Sequence, residues 1–222
     1  LISVLSTTLL YAQDTTAPQR IKVNVTDRGS DHLLIQFGAD GWAGKPDSIR
    51  TKGFSRHFNV YFMFGKPYRN NPKLSVAYGA GIASSNIFFD KMSIDLKSTA
   101  ATLPIRRADS TDHFDKYKLT TIYLEAPVEL RYSSDPNSSD GGFKFALGAK
   151  VGTMLKAFTK GKDLQNKNEQ SLYGSKYIVK EADKKFFNGT RLSVMARVGY
   201  GIFSLHGAYQ VTTLLKENAG PE

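Results

Sequence analysis

The feature that most constrains this chain is a strict alternation of apolar and polar side chains from Tyr117 to Tyr132. Successive side chains of a β-strand point to opposite faces, so this segment would have one apolar face and one polar face. A helix would spread both sets around its circumference, so the alternation predicts a strand. One face would carry Thr120, Ile122, Leu124, Ala126, Val128, Leu130 and Tyr132, and the other Tyr117, Thr121, Tyr123, Glu125, Pro127, Glu129 and Arg131.

The same period of two returns at residues 54–64 and 143–156. Shorter runs with the same pattern complete the chain. Together they predict seven strands, at about 32–42, 54–65, 74–89, 116–132, 143–157, 190–200 and 202–213.

The predicted connections alternate in length. Those after the second, fourth and sixth strands are short, and residues 133–142 consist of turn formers throughout. Those after the third and fifth strands are roughly 25–30 residues long, and short turns on one side with long loops on the other are typical of outer-membrane barrels. The chain has no run of 18 apolar residues that would form a membrane helix. We therefore predict an all-β, antiparallel, up-and-down transmembrane β-barrel.

The first thirteen residues are apolar as far as Tyr11 and carry no charge. They predict the end of a signal peptide cleaved after Ala12, with a basic start upstream of Leu1; a buried first strand or helix is the alternative. Export also suits a chain without Cys, as an envelope protein stabilised by something other than disulfides. We expect a partial signal peptide at 1–13, a periplasmic N-terminal segment at 14–31 and a C-terminally truncated barrel at 32–222.

The apolar strand faces are expected to contact lipid. Strands of about 10 residues span a bilayer when tilted, and these faces have that length. Aromatic residues cluster at the strand ends, as in membrane-interface girdles; Trp42 and Tyr117 are among them. The alternatives are the core of a soluble sandwich and the inner face of a lipocalin-like barrel. The barrel prediction places Phe58, Val60, Phe62, Leu124, Val128 and Leu147 on the outside.

The opposite faces would point into the barrel, whose interior is filled by side chains when the strands number about eight. Buried charges must pair, and Glu125 and Glu129 have Lys144, Lys150 and Arg131 as candidate partners. We expect a salt-bridge network that plugs the lumen; a path for protons or solutes is the alternative. The predicted interior set is His57, Tyr61, Tyr123, Glu125, Glu129, Arg131, Lys144, Lys150, Lys156 and Arg197.

Three segments resemble the PorT-like outer-membrane β-barrels of Bacteroidetes-type bacteria. Residues 123–132 (YLEAPVELRY) are similar to that family's YLE-x-P strand, residues 145–152 to the Gly-rich strand that follows it, and residues 191–222 to its terminal hairpin. The resemblance implies an outer-membrane barrel of eight strands, of which the last is missing here. It also implies a connection with envelope assembly or protein secretion, and it brings no catalytic residue.

Patterns typical of catalysis or metal binding are not found. His32, His57, His113 and His206 are isolated in sequence, so a zinc site would need distant ones to converge. The stretch Asp109–Asp115 places Asp, Ser and His together, but a catalytic triad depends on geometry that an external loop holds poorly. Loose Ca²⁺ binding there is the alternative, although the spacing is not that of an EF-hand. We predict no catalytic residue, no metal and no cofactor.

The chain is basic, with 30 Lys and Arg against 20 Asp and Glu. Such a charge can indicate nucleic acid binding, but an exported barrel meets the phosphates of lipopolysaccharide instead. The connection after the fifth strand is the most basic part, and we expect it to form an external basic loop that contacts anionic headgroups or an envelope protein. The residues singled out there are Lys160, Lys162, Lys184 and Lys185.

The leading interpretation is a non-enzymatic integral outer-membrane barrel, structural or supporting envelope assembly or protein secretion. Its expected partners are outer-membrane lipid, lipopolysaccharide and envelope or secretion proteins, with no nucleic acid. The alternatives are a ligand- or partner-binding barrel acting through its long external loops, and a narrow pore.

Overall fold

The computed structural model of the chain describes residues 30–108, 112–136 and 141–220. The expected signal peptide at 1–13 and most of the expected periplasmic segment lie outside these ranges. No helix among the described residues is long and apolar enough to cross a membrane. The strands are β1 (Ser30–Ala39), β2 (Arg56–Tyr68), β3 (Asn71–Phe89), β4 (Met92–Ile94), β5 (Ile105–Arg107), β6 (His113–Ser133), β7 (Phe143–Gln165), β8 (Ile178–Ala182), β9 (Thr190–Tyr200) and β10 (Phe203–Gln210).

Seven of these strands form one antiparallel wall in the order β1-β2-β3-β6-β7-β9-β10. Strands β4 and β5 form a separate hairpin, and β8 pairs with the far end of β7. The connections β2–β3, β6–β7 and β9–β10 are short and lie at one end of the wall, whereas the long connections lie at the other end. The expected up-and-down antiparallel architecture is therefore confirmed.

Strands β6 and β7 are longer than the sequence pattern predicts. Their ladder runs, with one bulge, from the pair Ser133–Lys144 to the pair His113–Gln165. The outward apolar residues of β6 lie between Ile122 and Tyr132, a distance of about 33 Å along the strand and about 25 Å along the membrane normal at a typical tilt. We call this stretch the membrane band; the rest of both strands projects beyond it on the side of the long connections.

A β-bulge in β7 changes which residues face inward. The register shifts so that Ile122 pairs with Lys156 but Tyr123 pairs with Met154, which leaves Leu155 as the extra residue. Even-numbered residues face inward before the bulge and odd-numbered ones after it. The prediction that Lys156 points into the lumen is therefore wrong: its side chain is exposed on the outer face.

Close packing inside the wall explains why residue 81 is a glycine. A Cβ on Gly81 would lie 2.0 Å from the carbonyl oxygen of Val60 and 2.6 Å from the ring of Tyr61. Two residues earlier, the β3–β6 ladder is interrupted at Gly79 and Ala80, opposite Pro127, which has no N–H to donate. Glycine at such positions lets a wall bend where side chains would collide.

The outer face of the wall is apolar and exposed, as a surface in contact with lipid requires. Phe62 is 65% exposed and Leu147 is 51% exposed, and Phe58, Leu124 and Val128 are exposed to a similar degree. These residues do not form an enclosed core. At the end with the short turns, aromatic side chains form an exposed girdle that contains Phe64, Tyr68, Tyr132, Phe143 and Tyr200.

The enclosed hydrophobic core lies at the other end, beyond the membrane band. The large connections fold over the projecting strands, and we call this region the external cap: β4, β5, β8, the ends of β3, β6 and β7 beyond the band, and residues 41–55, 183–189 and 211–220. Tyr117 is buried here and Trp42 packs against Phe89, so neither belongs to an aromatic girdle. The buried core includes Ile49, Phe89, Ile94, Leu96, Leu103, Leu119, Phe186, Phe187 and Leu215.

The sheet curves until the strands at its two edges approach each other. His206 on β10 lies 3.0 Å from His57 on β2, between their Nε2 atoms, although four strands separate β2 from β10 in the wall. Among the described residues no ladder joins β1 to β10. This curvature gives the wall an inside, where the polar faces meet.

Candidate functional site

The centre of the interior is occupied by the carboxylate of Glu125, which is 2% exposed. The Tyr61 hydroxyl donates a hydrogen bond of 2.6 Å to its Oε2. The Lys150 ammonium lies 3.2 Å from the same oxygen and donates to the Tyr61 hydroxyl, also at 3.2 Å. Arg191 lies 3.4 Å from Oε1 and stands over the ring of Tyr123. Four strands, β2, β6, β7 and β9, therefore meet at one carboxylate.

A second cluster surrounds Glu129, two inward positions nearer the short-turn end. Arg197 on β9 and Arg131 on β6 donate to the same oxygen, Oε2, at 2.6 and 2.7 Å. Charge-assisted hydrogen bonds of this length are stronger than neutral ones. The two glutamates thus link β6 to the neighbouring β7 and to β9 beyond it through buried side chains rather than through the backbone.

A third cluster joins the two edges of the curved sheet. The Asp40 carboxylate can only accept, so His57 donates to it through Nδ1–H over 2.7 Å. Ser85 donates to the second oxygen of Asp40. Between the facing Nε2 atoms of His57 and His206, one imidazole must donate and the other accept. This chain of four side chains crosses from β10 through β2 to the ends of β1 and β3.

Of the predicted interior residues, Lys156 faces outward and Lys144 lies outside these clusters. Lys144 does not reach either glutamate; it donates to the backbone carbonyl of Gly201 in the turn between β9 and β10, at 2.8 Å. Tyr123 contributes its ring to Arg191 and reaches the Asn188 carbonyl at 3.5 Å.

Sequence reasoning missed Arg191, Asp40, Ser85 and His206. Arg191 has the same parity as Arg197 on β9, so alternation alone could have placed it inside. His206 pairs with Arg197 in the β9–β10 ladder, which gives its side chain the same facing. No sequence signal pairs His206 with His57, because their approach depends on the curvature of the whole wall.

Several buried donors in the interior have no protein partner. Nε of Arg191, Nε of Arg197 and the hydroxyl of Ser193 make no hydrogen bond among the described residues. Buried polar groups of this kind are usually satisfied by water. The interior of the band is therefore mainly polar and its strands are linked by charged pairs, while Tyr61, Met63 and Ala77 also form a small apolar cluster inside the wall.

Comparison with known families decides the class of the protein. A family model described as the outer membrane protein beta-barrel domain matches residues 22–213. The chain belongs to this family. It is accordingly an integral barrel protein of the bacterial outer membrane, and its short turns define the periplasmic end. No curated protein and no solved structure matches it.

The basic residues predicted to form an external loop lie on two different elements of the barrel. Lys160 and Lys162 lie on strand β7, not in a loop as predicted, because β7 continues through them to Gln165. Lys184 and Lys185 lie in the connection after β8; the Lys185 ammonium contacts the carbonyl of Ser98 and stands over the ring of Phe186. The predicted basic loop is thus two separate features, a strand face and a turn.

The external cap of the barrel contains an open cavity of about 330 Å³ between the β4–β5 hairpin and strands β6, β7 and β8. Its floor includes the stacked rings of Phe114 and Tyr117, and the Tyr117 hydroxyl is committed to the backbone of Ile94. Its polar lining consists of Ser93, Asp95, Ser98, Arg106, Thr159 and Glu181.

Other chemistry has little support in the described parts of the barrel. No group of three or more His, Asp or Glu there is placed to hold a metal ion. The stretch Asp109–Asp115 is described only from Asp112 onward, and the predictions about Asp109 to Thr111 lie outside the described residues. Outer-membrane barrels of this family are typically non-enzymatic.

Proposed function

We propose that this barrel is a non-enzymatic, closed scaffold that supports envelope assembly or protein secretion through its external cap. The membrane-embedded wall anchors the protein, and the folded cap presents a stable surface on the outside of the cell. The link to secretion comes from the resemblance of residues 123–132 to the PorT-like barrels.

The observation that carries the proposal is occlusion of the interior at two levels. Within the band, the clusters around Glu125 and Glu129 cross the lumen with short ion pairs. Beyond it, the apolar core of the cap covers the external mouth, with Phe187 and Leu96 fully buried. A barrel that is closed by both a charge network and an apolar cap core is suited to docking partner proteins rather than to conducting ions or solutes.

The first experiment separates a scaffold from a narrow pore. We expect the purified barrel, inserted into planar bilayers, to show no discrete conductance in potassium chloride. Glu125→Ala with Arg191→Ala, which removes the central cluster, should remain at the baseline because the cap still covers the mouth. Channel openings of the unmodified protein would overturn the closed-scaffold proposal.

The second experiment addresses the biological role. Deletion of the gene should change the set of secreted or outer-membrane proteins, and the unmodified gene should restore it. A variant with the cap core broken by Phe187→Ala and Leu96→Ala should insert but restore the phenotype poorly. Full rescue by that variant would place the function in the wall and not in the cap.

The cavity of the cap supports a second candidate, the binding of a small polar ligand. Its volume lies at the small end of ligand sites, and its rim combines carboxylates with the guanidinium of Arg106. Saturation-transfer NMR with a panel of monosaccharides and amino acids tests it. We expect a binder whose signal is lost in Arg106→Gln and Glu181→Gln and kept in Lys97→Gln; a panel without any binder removes this candidate.

A further inference from the structure

A row of lysines crosses the outward face of the barrel just above the membrane band. In the ladders, Lys118 on β6 is directly opposite Lys160 on β7, and Lys160 is directly opposite Lys180 on β8. One step further out, Lys116 is opposite Lys162. We call Lys118, Lys160 and Lys180 the lysine row.

The three members of the row point away from the interior. After the bulge in β7 the even-numbered residues face outward, and on β8 the outward set contains Lys180, while Val179 and Glu181 turn toward the cap cavity. Lys180 is exposed and Lys160 is partly exposed. On β7 it is the bulge that places Lys160 and Lys162 on the outward face.

Like charges placed directly opposite each other destabilise a sheet. In the described parts of the chain, neither Lys160 nor Lys180 forms an ion pair. Acidic residues are near in sequence but engaged elsewhere: Glu181 lines the cavity, and Asp163 accepts from Gln165 and Ser171. The strands thus hold a concentration of positive charge that the protein itself does not neutralise.

The first lysine of the row is held by its neighbours. Lys118 donates to Oδ1 of Asn86 at 2.7 Å, and its ammonium lies 5.7 Å from the centre of the Phe88 ring. Arg56 stacks on the same ring at 5.1 Å. Burial, together with the charges of Lys160, Arg56 and Lys180, lowers the pKa of Lys118. A bound anion would remove that repulsion.

The position of the row identifies the anion. The outward residues of β6 are apolar from Tyr132 to Ile122, and Lys118 comes two outward positions later, beyond Thr120. The row therefore lies at the external boundary of the membrane, on the surface that continues the lipid-contacting face. Lysines at such a boundary are attracted to anionic headgroups, and the ammonium is a good point-charge ligand for phosphate.

We propose that the lysine row binds the phosphate groups of a phosphorylated outer-leaflet lipid, namely the headgroup of lipopolysaccharide. The acyl chains would lie on the apolar band below the row, while the phosphates bridge the three opposed ammonium groups. This proposal rests on the position of the wall in the membrane and is independent of the role assigned to the cap.

The test uses the full chain folded in a neutral detergent, with native mass spectrometry to count bound lipid. The probes are bis-phosphorylated lipid A, lipid A stripped of its phosphates, and inorganic phosphate. Each lysine near an anionic surface contributes roughly fivefold to binding, so the triple variant K118Q/K160Q/K180Q should bind phosphorylated lipid A about a hundredfold more weakly. The control K73Q/K167Q/K176Q removes the same charge at exposed sites off the row and should bind as the unmodified protein does.

Three outcomes would overturn the proposal. Equal weakening in the control variant would mean that only total charge matters. Equal binding of dephosphorylated lipid A would mean that phosphate is not recognised, and equally tight binding of inorganic phosphate would make the row a soluble-anion site. Thermal unfolding in lipid-free detergent gives an independent readout: relief of repulsion should leave K118Q/K160Q/K180Q at least as stable as the unmodified protein, whereas a merely structural row would lower its melting temperature. The single variant K160Q serves if the triple variant does not fold.

Discussion

Replacement of Glu125 by Gln is expected to destabilise the barrel strongly. Gln keeps the shape of the side chain and can still accept from the Tyr61 hydroxyl. It removes the negative charge that lies 3.2 Å from Lys150 and 3.4 Å from Arg191. Two cations would then remain in the interior with no carboxylate between them.

The size of the effect follows from those distances. At an effective dielectric constant of 20, each attraction amounts to about 5 kcal/mol before desolvation is subtracted. Lys150 and Glu125 are almost fully buried, so water replaces little of the lost interaction. Removal of one partner from a buried pair typically costs about 3–5 kcal/mol, and we expect Glu125→Gln to lower the free energy of unfolding by that amount.

The assay is urea unfolding of the protein reconstituted in lipid vesicles, followed by far-UV circular dichroism. Trp42, the only tryptophan, lies in the cap against Phe89, so its fluorescence reports the cap separately from the wall. The matched control is Glu217→Gln at an exposed position, which should change stability by less than about 0.5 kcal/mol. The double variant Glu125→Gln/Lys150→Met also removes one of the two cations that Glu125→Gln leaves without a carboxylate. It should recover part of the lost free energy of unfolding.

Two results would refute this reasoning. The first is a free energy of unfolding for Glu125→Gln that matches the Glu217→Gln control. The second is strict additivity in the double variant, since contacting residues that share a charge network should show a coupling of about 0.5–3 kcal/mol. Either result would mean that solvent inside the barrel already neutralises the cluster.

Three further substitutions test other parts of the structure. Gly81→Ala should lower stability by about 1–3 kcal/mol in the urea assay, because its Cβ would collide with the Val60 carbonyl. Phe187→Ala leaves a cavity in the fully buried cap core, at a cost of about 3–5 kcal/mol, and should make the external connections sensitive to protease while the wall stays folded. Lys160→Met should raise the pKa of Lys118 toward its ordinary value, as measured by NMR of dimethylated lysines, because one of the charges that lower this pKa is removed.

Each of these has a control within the chain. Gly207→Ala lies in a strand with open space around its Cβ and should be nearly neutral. Tyr173→Ala removes an exposed aromatic ring from an external connection and should leave protease resistance unchanged. Lys73→Met should not move the pKa of Lys118, since Lys73 lies near the periplasmic turn. Agreement between any variant and its control would contradict the corresponding prediction.

The lowered pKa of Lys118 also predicts how the stability of the barrel depends on pH. A base whose pKa is lowered by folding binds its proton less tightly in the folded state than in the unfolded state. At neutral pH the burial of the charged Lys118 and the repulsion from its neighbours therefore oppose folding, and stability should rise as the pH increases through the lowered pKa toward the ordinary one. Lys118→Met should flatten this rise in urea titrations between neutral and alkaline pH.

Alternation was enough to predict the wall and its two faces. The exposed Phe62 and the buried Glu125 both follow the period of two, because a strand in a membrane has to separate lipid-contacting from interior side chains. The same rule failed at Lys156, since the bulge at Leu155 adds one residue without any local Gly or Pro signal.

The remaining differences come from contacts that a strand pattern does not contain. Tyr117 lies in a segment that alternates correctly, yet it is buried by a hairpin whose strands of three residues are too short to show a period. Arg191 could have been assigned to the interior by parity, but its pairing with Glu125 depends on how far β9 curves toward β6. The family identity, by contrast, is carried by residues 22–213 as a whole and not by any one motif.

The contact between His57 and His206 has a consequence for the order of folding. It joins residues 149 positions apart, whereas most neighbouring strands of the wall are also neighbours along the chain. The entropy lost on closing a loop grows with its length, so pairings between successive strands form first and distant contacts are established later. The two imidazoles can meet only after every strand between β2 and β10 has docked with its neighbour. Their hydrogen bond therefore marks the last step of assembly, and the ring signals of these two histidines offer a probe of whether a barrel has finished folding.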